Sequence, residues 1–299
     1  EFEMNPYQAK RLRNWFDVDW NLYALIWNKR FSNQRRLNVR FFTLDASRKS
    51  VGDLSRPNRP DANRERDLII GEFNNWGIES RFLRHYTFIA QPSTFLVGVR
   101  AYRGFNWSRQ GFAKGGDDAD FNLINPESTG VSDYQHPGYN AALFAENIFR
   151  LPYQISIIPG IRLEAIETNA NGFYKNRLIS GGRLIFEDTV SVSRSYFRQF
   201  PLLGLGLSKK IKQVEILANI TQNYRSINFS DMSISNPNLR VDSNLKDESG
   251  FNTDITFRGY LIPNICWFDL SFFYLSYQDR IGLSETVIEQ NGAKQLTAF

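Results

Sequence analysis

The chain has 299 residues, of which 42% are hydrophobic and 22% charged, so it is no disordered tail. No run of 18 apolar residues exists; the densest, Leu202 to Leu207, is interrupted by two glycines, and this excludes a transmembrane helix. One cysteine, Cys266, excludes a disulfide framework or cysteine-based zinc site within the chain, and a net charge of +5 spread along its length is weak evidence for nucleic acid.

Period two dominates from the first element onward. Phe16, Val18, Trp20, Leu22, Ala24 and Ile26 alternate with Asp17, Asp19, Asn21 and Tyr23. Leu37, Val39 and Phe41 alternate with Asn38 and Arg40, and a less regular strand follows near 78–86. Phe95, Val97, Val99 and Ala101 make the next apolar row, followed by a second irregular strand near 140–150. Ile157, Ile161, Leu163 and Ala165 come next, then Leu203, Leu205 and Leu207. Val214, Ile216, Ala218 and Ile220 precede Phe251, Ile255, Phe257 and Leu261, and Phe268, Leu270, Phe272 and Tyr274 close the series. About ten antiparallel strands are expected.

Short turns are expected at Ser32-Asn33-Gln34, Gln91-Pro92-Ser93, Leu151-Pro152-Tyr153, Lys209-Lys210-Ile211 and Ile262-Pro263-Asn264. Between them lie polar connections at 45–77, 104–138, 168–195 and 225–249. Compact domains join their elements with about 4 to 6 residues. A transmembrane β-barrel instead alternates short turns with long outer loops. Periodicity alone does not choose between such a barrel and a β-sandwich or propeller with the apolar face in a core. The loop asymmetry favours the barrel. So do the aromatics near strand ends (Trp15, Trp27, Phe31, Phe88, Phe149, Tyr153, Trp267, Phe268) and the lack of Asp, Glu, Lys or Arg in the apolar rows.

Four segments carry a resemblance: Pro159 to Glu164, Ala218 to Arg225, Asn238 to Asp242 leading on to Gly250-Phe251, and Phe272 to Tyr274 through Asp279 to Gly282. With them the chain resembles the barrel of TonB-dependent outer-membrane receptors of the ferric-dicitrate type, over most of residues 10 to 285. The resemblance implies that residues 1–299 are part of the β-barrel domain, an all-β antiparallel fragment of about ten strands. It places the plug domain and the closing strands outside this sequence. It also implies a Gram-negative-type outer membrane, TonB-energised uptake of a ferric chelate such as a siderophore or iron-dicitrate, outer-membrane lipid and the TonB complex as partners, and no cofactor. The alternatives from other classes are a passive porin-like barrel and a soluble carbohydrate-binding β-protein.

Candidate site residues follow from side and sign. Arg100, Arg162, Glu164, Glu215, Asn219, Asn223 and Arg258 fall on the polar faces and are expected to line the lumen or meet a plug. An anionic chelate favours arginines near the loop end, where a guanidinium grips carboxylates in pairs; Arg103, Arg109, Arg183, Arg198 and Arg225 are the candidates. Other motifs lead nowhere firm. Asp118, Asp120 and Asn122 begin like a calcium loop, but Leu123 and Thr129 stand where glycine and glutamate are needed, leaving at most a looser cation site. His85 and His136 lie far apart in sequence, and no spacing supports a metal site or catalytic triad; the resemblance implies a transporter and no enzyme. Gly204-Leu205-Gly206 lacks the residues of a phosphate loop.

Overall fold

The computed structural model describes residues 11–53, 61, 64–180, 183–232, 245–262, 265–282, 285–290 and 293–298. Ten strands form one antiparallel sheet in which every strand pairs with its neighbours in sequence. They are β1 (Trp15–Ser32), β2 (Arg35–Gly52), β3 (Arg66–Phe88), β4 (Gln91–Ala113), β5 (Ser132–Leu151), β6 (Ile155–Ser180), β7 (Arg183–Ile211), β8 (Val214–Arg225), β9 (Glu248–Ile262) and β10 (Cys266–Gln278). A separate hairpin joins β11 (Glu285–Gln290) to β12 (Ala293–Ala298). The meander follows from strands joined by tight turns, which force antiparallel neighbours.

All ten expected strands are present, but their lengths differ from the sequence reading. The long connections shrink to 53–65, 114–131 and 226–247, and the fourth is only residues 181–182. Residues expected to loop at 168–195 instead extend β6 and β7 into a hairpin of 26 and 29 residues. Here both faces meet polar surroundings, so the alternation that reveals a half-buried strand is lost while the backbone ladder continues. Two turns also shift. Pro92 and Ser93 pair within β4, and the reversal falls on Ile89 and Ala90, at φ 49° and 58°. Lys209 to Ile211 belong to β7, and Lys212, at φ 53°, begins the turn. Pro263-Asn264 and the resemblance segment at 238–242 lie outside the described residues.

Cross-strand partners share a face, so the registers assign every row. Val39 lies beside Ser80, Ser80 beside Val99, and Val99 beside Leu143, which pairs with Leu163. The row continues through Pro201 and, four residues lower, through Leu205, Ile220, Thr253 and Tyr274. From β2 to β10 the expected apolar rows therefore fall on one side of one sheet. That side is uncovered: Val99 is 51% exposed, Leu143 48%, Leu203 52% and Phe272 57%. In a sandwich these side chains would be sealed. The two clusters of buried apolar residues sit elsewhere, at the loop end. One joins Val51, Leu68, Ile70 and Ala113; the other joins Ala170, Ile227 and Met232.

β1 corrects the sequence reading. Ala24 pairs with Phe42 and Trp20 with Ala46, so Phe16 to Ile26 lie on the inner, polar side of the sheet. Tyr23, Leu25 and Trp27 take the apolar side, opposite Thr43, Phe41 and Val39. Residues 22–27 are apolar on both faces except for Tyr23, so alternation cannot orient them, and Asp17 and Asp19 lie further toward the loops.

The inner face carries a repeated stack. Phe42 lies across from Gly77, and Phe144 across from Gly98. A Cβ on Gly77 would come 2.4 Å from the Phe42 ring, and one on Gly98 2.3 Å from Phe144. Only glycine lets each ring lie flat on the neighbouring strand. A guanidinium then covers each ring: Arg100 over Phe42 at 5.7 Å and Arg162 over Phe144 at 5.3 Å. Each such contact contributes about 0.5–1 kcal/mol at an exposed site.

Face assignment sets a direct expectation. In the complete barrel in liposomes, Leu143→Arg should lower unfolding stability by about 2–4 kcal/mol, and Ser271→Arg on the inner face by less than about 1 kcal/mol. Urea midpoints for the two variants measure the difference.

Candidate functional site

The inner face is a surface of paired charges. Glu79 holds Arg81 and lies 3.9 Å from Arg100. Glu164 accepts from Arg162 and from Asn140. Arg258 grips one oxygen of Glu215 through Nε and Nη2, at 2.8 and 2.7 Å. Asn219 donates to Asp254 at 3.2 Å, and Asn223 to Asn252. Arg100, Arg162, Glu164, Glu215, Asn219, Asn223 and Arg258 all lie on this one face of the sheet. Each has a polar partner on the same strand or the adjacent one. Pairs this open to water contribute about 0–1 kcal/mol each to folding, and their use lies in wetting the interior.

At the loop end this face becomes a mouth, over which the described residues 226–232 and 245–247 pack as a roof. From the end of β8 the chain turns into α1 (Phe229–Met232). Ile227 and Met232 pack on Ala170 of β6, with Tyr196 of β7 and Leu245 beside them. Phe229 reaches further, meeting Phe73 of β3 at 6.4 Å and His136 of β5 at 5.7 Å, and His136 stacks on Tyr134. The roof thus touches the inner faces of strands on the far side of the sheet.

Asp247 clamps the returning end of the roof. Its carboxylate accepts from Arg198 Nε at 2.6 Å, from the Tyr224 hydroxyl and from the Ile227 N–H at 2.8 Å. Burial pushes the Asp247 carboxyl up, but the donors from Arg198, Tyr224 and Ile227 outweigh it and hold the group below its usual range. Arg198 also donates to Thr168 Oγ1 at 2.9 Å. Among the described residues its Nη2 has no partner. Arg225 is held by Asp231 at 2.9 Å and by Glu248 at 3.0 Å.

The five arginines expected near a ligand therefore divide. Arg198 and Arg225 stand at the inner mouth. Arg103 pairs with Trp76 and Tyr139, and Arg109 with Ile70 and Asp133, all on the outward side. Arg109 is occupied there by Glu72 at 2.7 Å and lies over Trp107 at 4.1 Å. These two were expected inside because charge near a loop was taken as lumen charge; the β3–β4–β5 register puts them outside. Arg183 opens β7, but its side chain lies outside the described residues. Sequence reasoning missed Asp247, Tyr224 and Thr168, which no periodicity marks, and gave His136 no role in the mouth.

The acidic loop holds protein. Asp118 binds the buried Arg66 at 2.9 Å, and Asp120 accepts from Asn122. Among the described residues no group of three His, Cys, Asp or Glu is placed to hold a metal.

Residues 2–297 match the sequence model of a family described as TonB dependent receptor-like, beta-barrel. No curated protein matches the chain. Among solved structures, the ferric citrate transporter FecA in its unliganded form superposes with a TM-score of 0.67 at 16% identity, over 92% of this chain and 37% of FecA. The ferric-catecholate import receptor Fiu from E. coli K12 gives 0.66 at 9% identity, over 95% and 44%. The copper transporter OprC gives 0.63 at 11% identity, over 95% and 42%. The chain thus spans less than half of each of these structures.

His136 gives the roof a pH dependence. Burial lowers its pKa from 6.5 to about 4, against a hydrogen bond to the Asn169 backbone that favours the protonated ring and raises it. The unfolded form binds the proton more readily, so stability is complete above about 6.5 and falls as pH drops toward 4. After correction for intrinsic exchange rates, amide protection at 226–232 should be lower at pH 4.5 than at pH 7, and His136→Phe should abolish that difference.

Proposed function

The chain belongs to the TonB-dependent receptor β-barrel family and lies in a Gram-negative-type outer membrane, and from that premise we propose that it forms part of the wall and mouth of a receptor importing an anionic metal chelate. Receptors of this family bind small nutrients and draw energy through TonB. The finer reading is a ferric chelate of the siderophore or iron-dicitrate class. It rests on the arginines at the mouth, and on the names of the ferric transporters that share the fold.

One observation carries the reading: a single sheet bears an uncovered apolar face and a charge-lined face. Hydrocarbon suits the first and an aqueous interior the second. A soluble carbohydrate-binding protein would leave the Val, Leu and Phe rows in water. A passive pore does not account for a roof that crosses the mouth and docks on its far wall.

Two edges bear on the complete protein. Among the described strands β1 and β10 have one neighbour each. Their unpaired N–H and C=O groups would each cost several kcal/mol in lipid, so we infer that further strands pair with both edges in the working barrel. Plug and closing strands supplied by the rest of the receptor fit that requirement. Import then moves a bound solute without covalent chemistry on this chain.

Arg198 is the residue this reading uses most directly, because Asp247 holds its Nε while its buried Nη2 has no partner among the described residues and would donate to a chelate carboxylate or catecholate oxygen that reached it. Arg225, gripped by two carboxylates, positions the roof more than it meets cargo. In the complete receptor, Arg198→Gln should weaken chelate binding by about 10- to 100-fold, the loss of one charge-assisted contact of about 1.5–3 kcal/mol. Arg225→Gln should weaken it less. Cells lacking TonB should bind the chelate but fail to accumulate it. Accumulation without TonB would overturn the import reading, and unchanged binding in Arg198→Gln would remove Arg198 from the site.

A further inference from the structure

The sheet is closed between every pair of strands except over the upper part of one seam. β7 pairs with β8 only from Ile211 and Val214 up to Gly204 and Thr221. Above that point β7 stays with β6 as far as Arg183, while β8 stays with β9 as far as Glu248. No backbone ladder joins β7 to β8 there, although Leu203–Gln222 and Phe200–Tyr224 still touch across the gap, and a wedge of about 890 Å³ opens beside them. That volume lies in the range of about 300–1,000 Å³ typical of small-molecule sites.

The sequence terminates this ladder by chemistry. Leu203 donates its N–H to the side-chain Oε1 of Gln222 at 2.9 Å in place of a backbone carbonyl. Alternate residues of a strand point their N–H groups the same way, so the nitrogen of Pro201 also faces the wedge. Proline has no proton to leave unpaired there. Gln222 and Pro201 thus satisfy or remove the donors that the parted seam would otherwise expose.

The lining indicates what enters. It includes Pro201, Leu203, Ile220 and Phe251, with Phe200 stacked on Tyr224 at 3.8 Å, and no lining residue is charged. This contrasts with the ion pairs that cover the rest of the inner face, and it disfavours an anionic chelate. Leu203, Ile220 and Phe251 also belong to the outward apolar rows, so the wedge is continuous with the surface that meets hydrocarbon. Its height agrees. Leu203 is nine residues above Lys212 in the short turn. At about 3.3 Å per residue and a strand tilt of about 35–45°, that is roughly 23 Å, near the top of an apolar band of about 25 Å.

We propose that the β7–β8 wedge admits an acyl chain of an outer-leaflet lipid, which passes through the wall and lies against inner-face residues such as Asn223. The inference rests on the membrane-barrel reading, and one experiment separates the two. In the complete receptor with Cys266→Ser, nitroxide labels are placed at Leu205→Cys, Asn219→Cys and Asn223→Cys, and the protein is reconstituted in lipid bilayers. Leu202→Cys, on the inner face of β7 and also lining the wedge, replaces Asn223→Cys if that label prevents assembly. Collision with oxygen, which concentrates in hydrocarbon, and with a water-soluble nickel chelate is read by power saturation.

The label at 205 should show high oxygen and low nickel accessibility. The label at 223 should match it, although register places it on the inner face, and the label at 219, where the seam is closed, should fall well below both in oxygen accessibility. High nickel accessibility at 223 would mean a water-filled wedge and would overturn the proposal. Low accessibility to both reagents at 223 would mean a protein segment fills it, with the same consequence. A lipid-like reading at 219 would overturn the face assignment on which the proposal depends. Nickel access at 205 would overturn the membrane reading itself.

Discussion

Each strand of this chain must satisfy two solvents at once. One face meets hydrocarbon and the other meets water, and the backbone between them must be fully paired because lipid offers no partners. Antiparallel pairing meets the last demand, and cross-strand register meets the first two by keeping the apolar rows of β2 to β10 on one face. The rest of the structure follows. There is no buried core across the sheet, since the apolar face needs none. Among the described residues the buried apolar clusters form at the loop end, where the chain leaves the membrane and must exclude water by its own packing.

The inner face solves a different problem. It is wet, yet its charges are not left free. Glu79, Glu164 and Glu215 each hold an arginine, and two stacks each bind three strands: Phe42, Gly77 and Arg100 on β2, β3 and β4, and Gly98, Phe144 and Arg162 on β4, β5 and β6. Specificity of register comes partly from these stacks, because a slip of one residue would set a Cβ against each ring. Toward the loops the same face supplies the docking surface for the roof, with Asp247 as the fixed point where Arg198, Tyr224 and the Ile227 N–H converge.

Much of this was legible in the sequence, and the failures share a cause. The rows from Leu37 to Tyr274 announce strands because one face is apolar and one polar. Where that contrast vanishes, so does the signal. Residues 168–195 read as a loop, although β6 and β7 continue through them with every backbone group available for pairing. β1 read with its faces reversed because Leu22, Ala24, Leu25, Ile26 and Trp27 give no contrast near the turn. Arg103 and Arg109 were placed inside by sign and position, whereas only the register with Trp76, Tyr139 and Asp133 shows which side they take. Asp247 and Tyr224 matter through a tertiary clamp between loop and strand, which no local pattern encodes.

The central claim is that the exposed Val, Leu and Phe rows lie against hydrocarbon. A photoactivated carbene probe confined to the bilayer, applied to the complete receptor in its native outer membrane and mapped residue by residue, tests it most directly. The account predicts insertion at Val39, Val99, Leu143, Leu163 and Leu270, with none at Arg81, Arg100, Glu164 or Asp269 on the opposite face. Insertion spread evenly over both faces, or absent from the apolar rows, would contradict it.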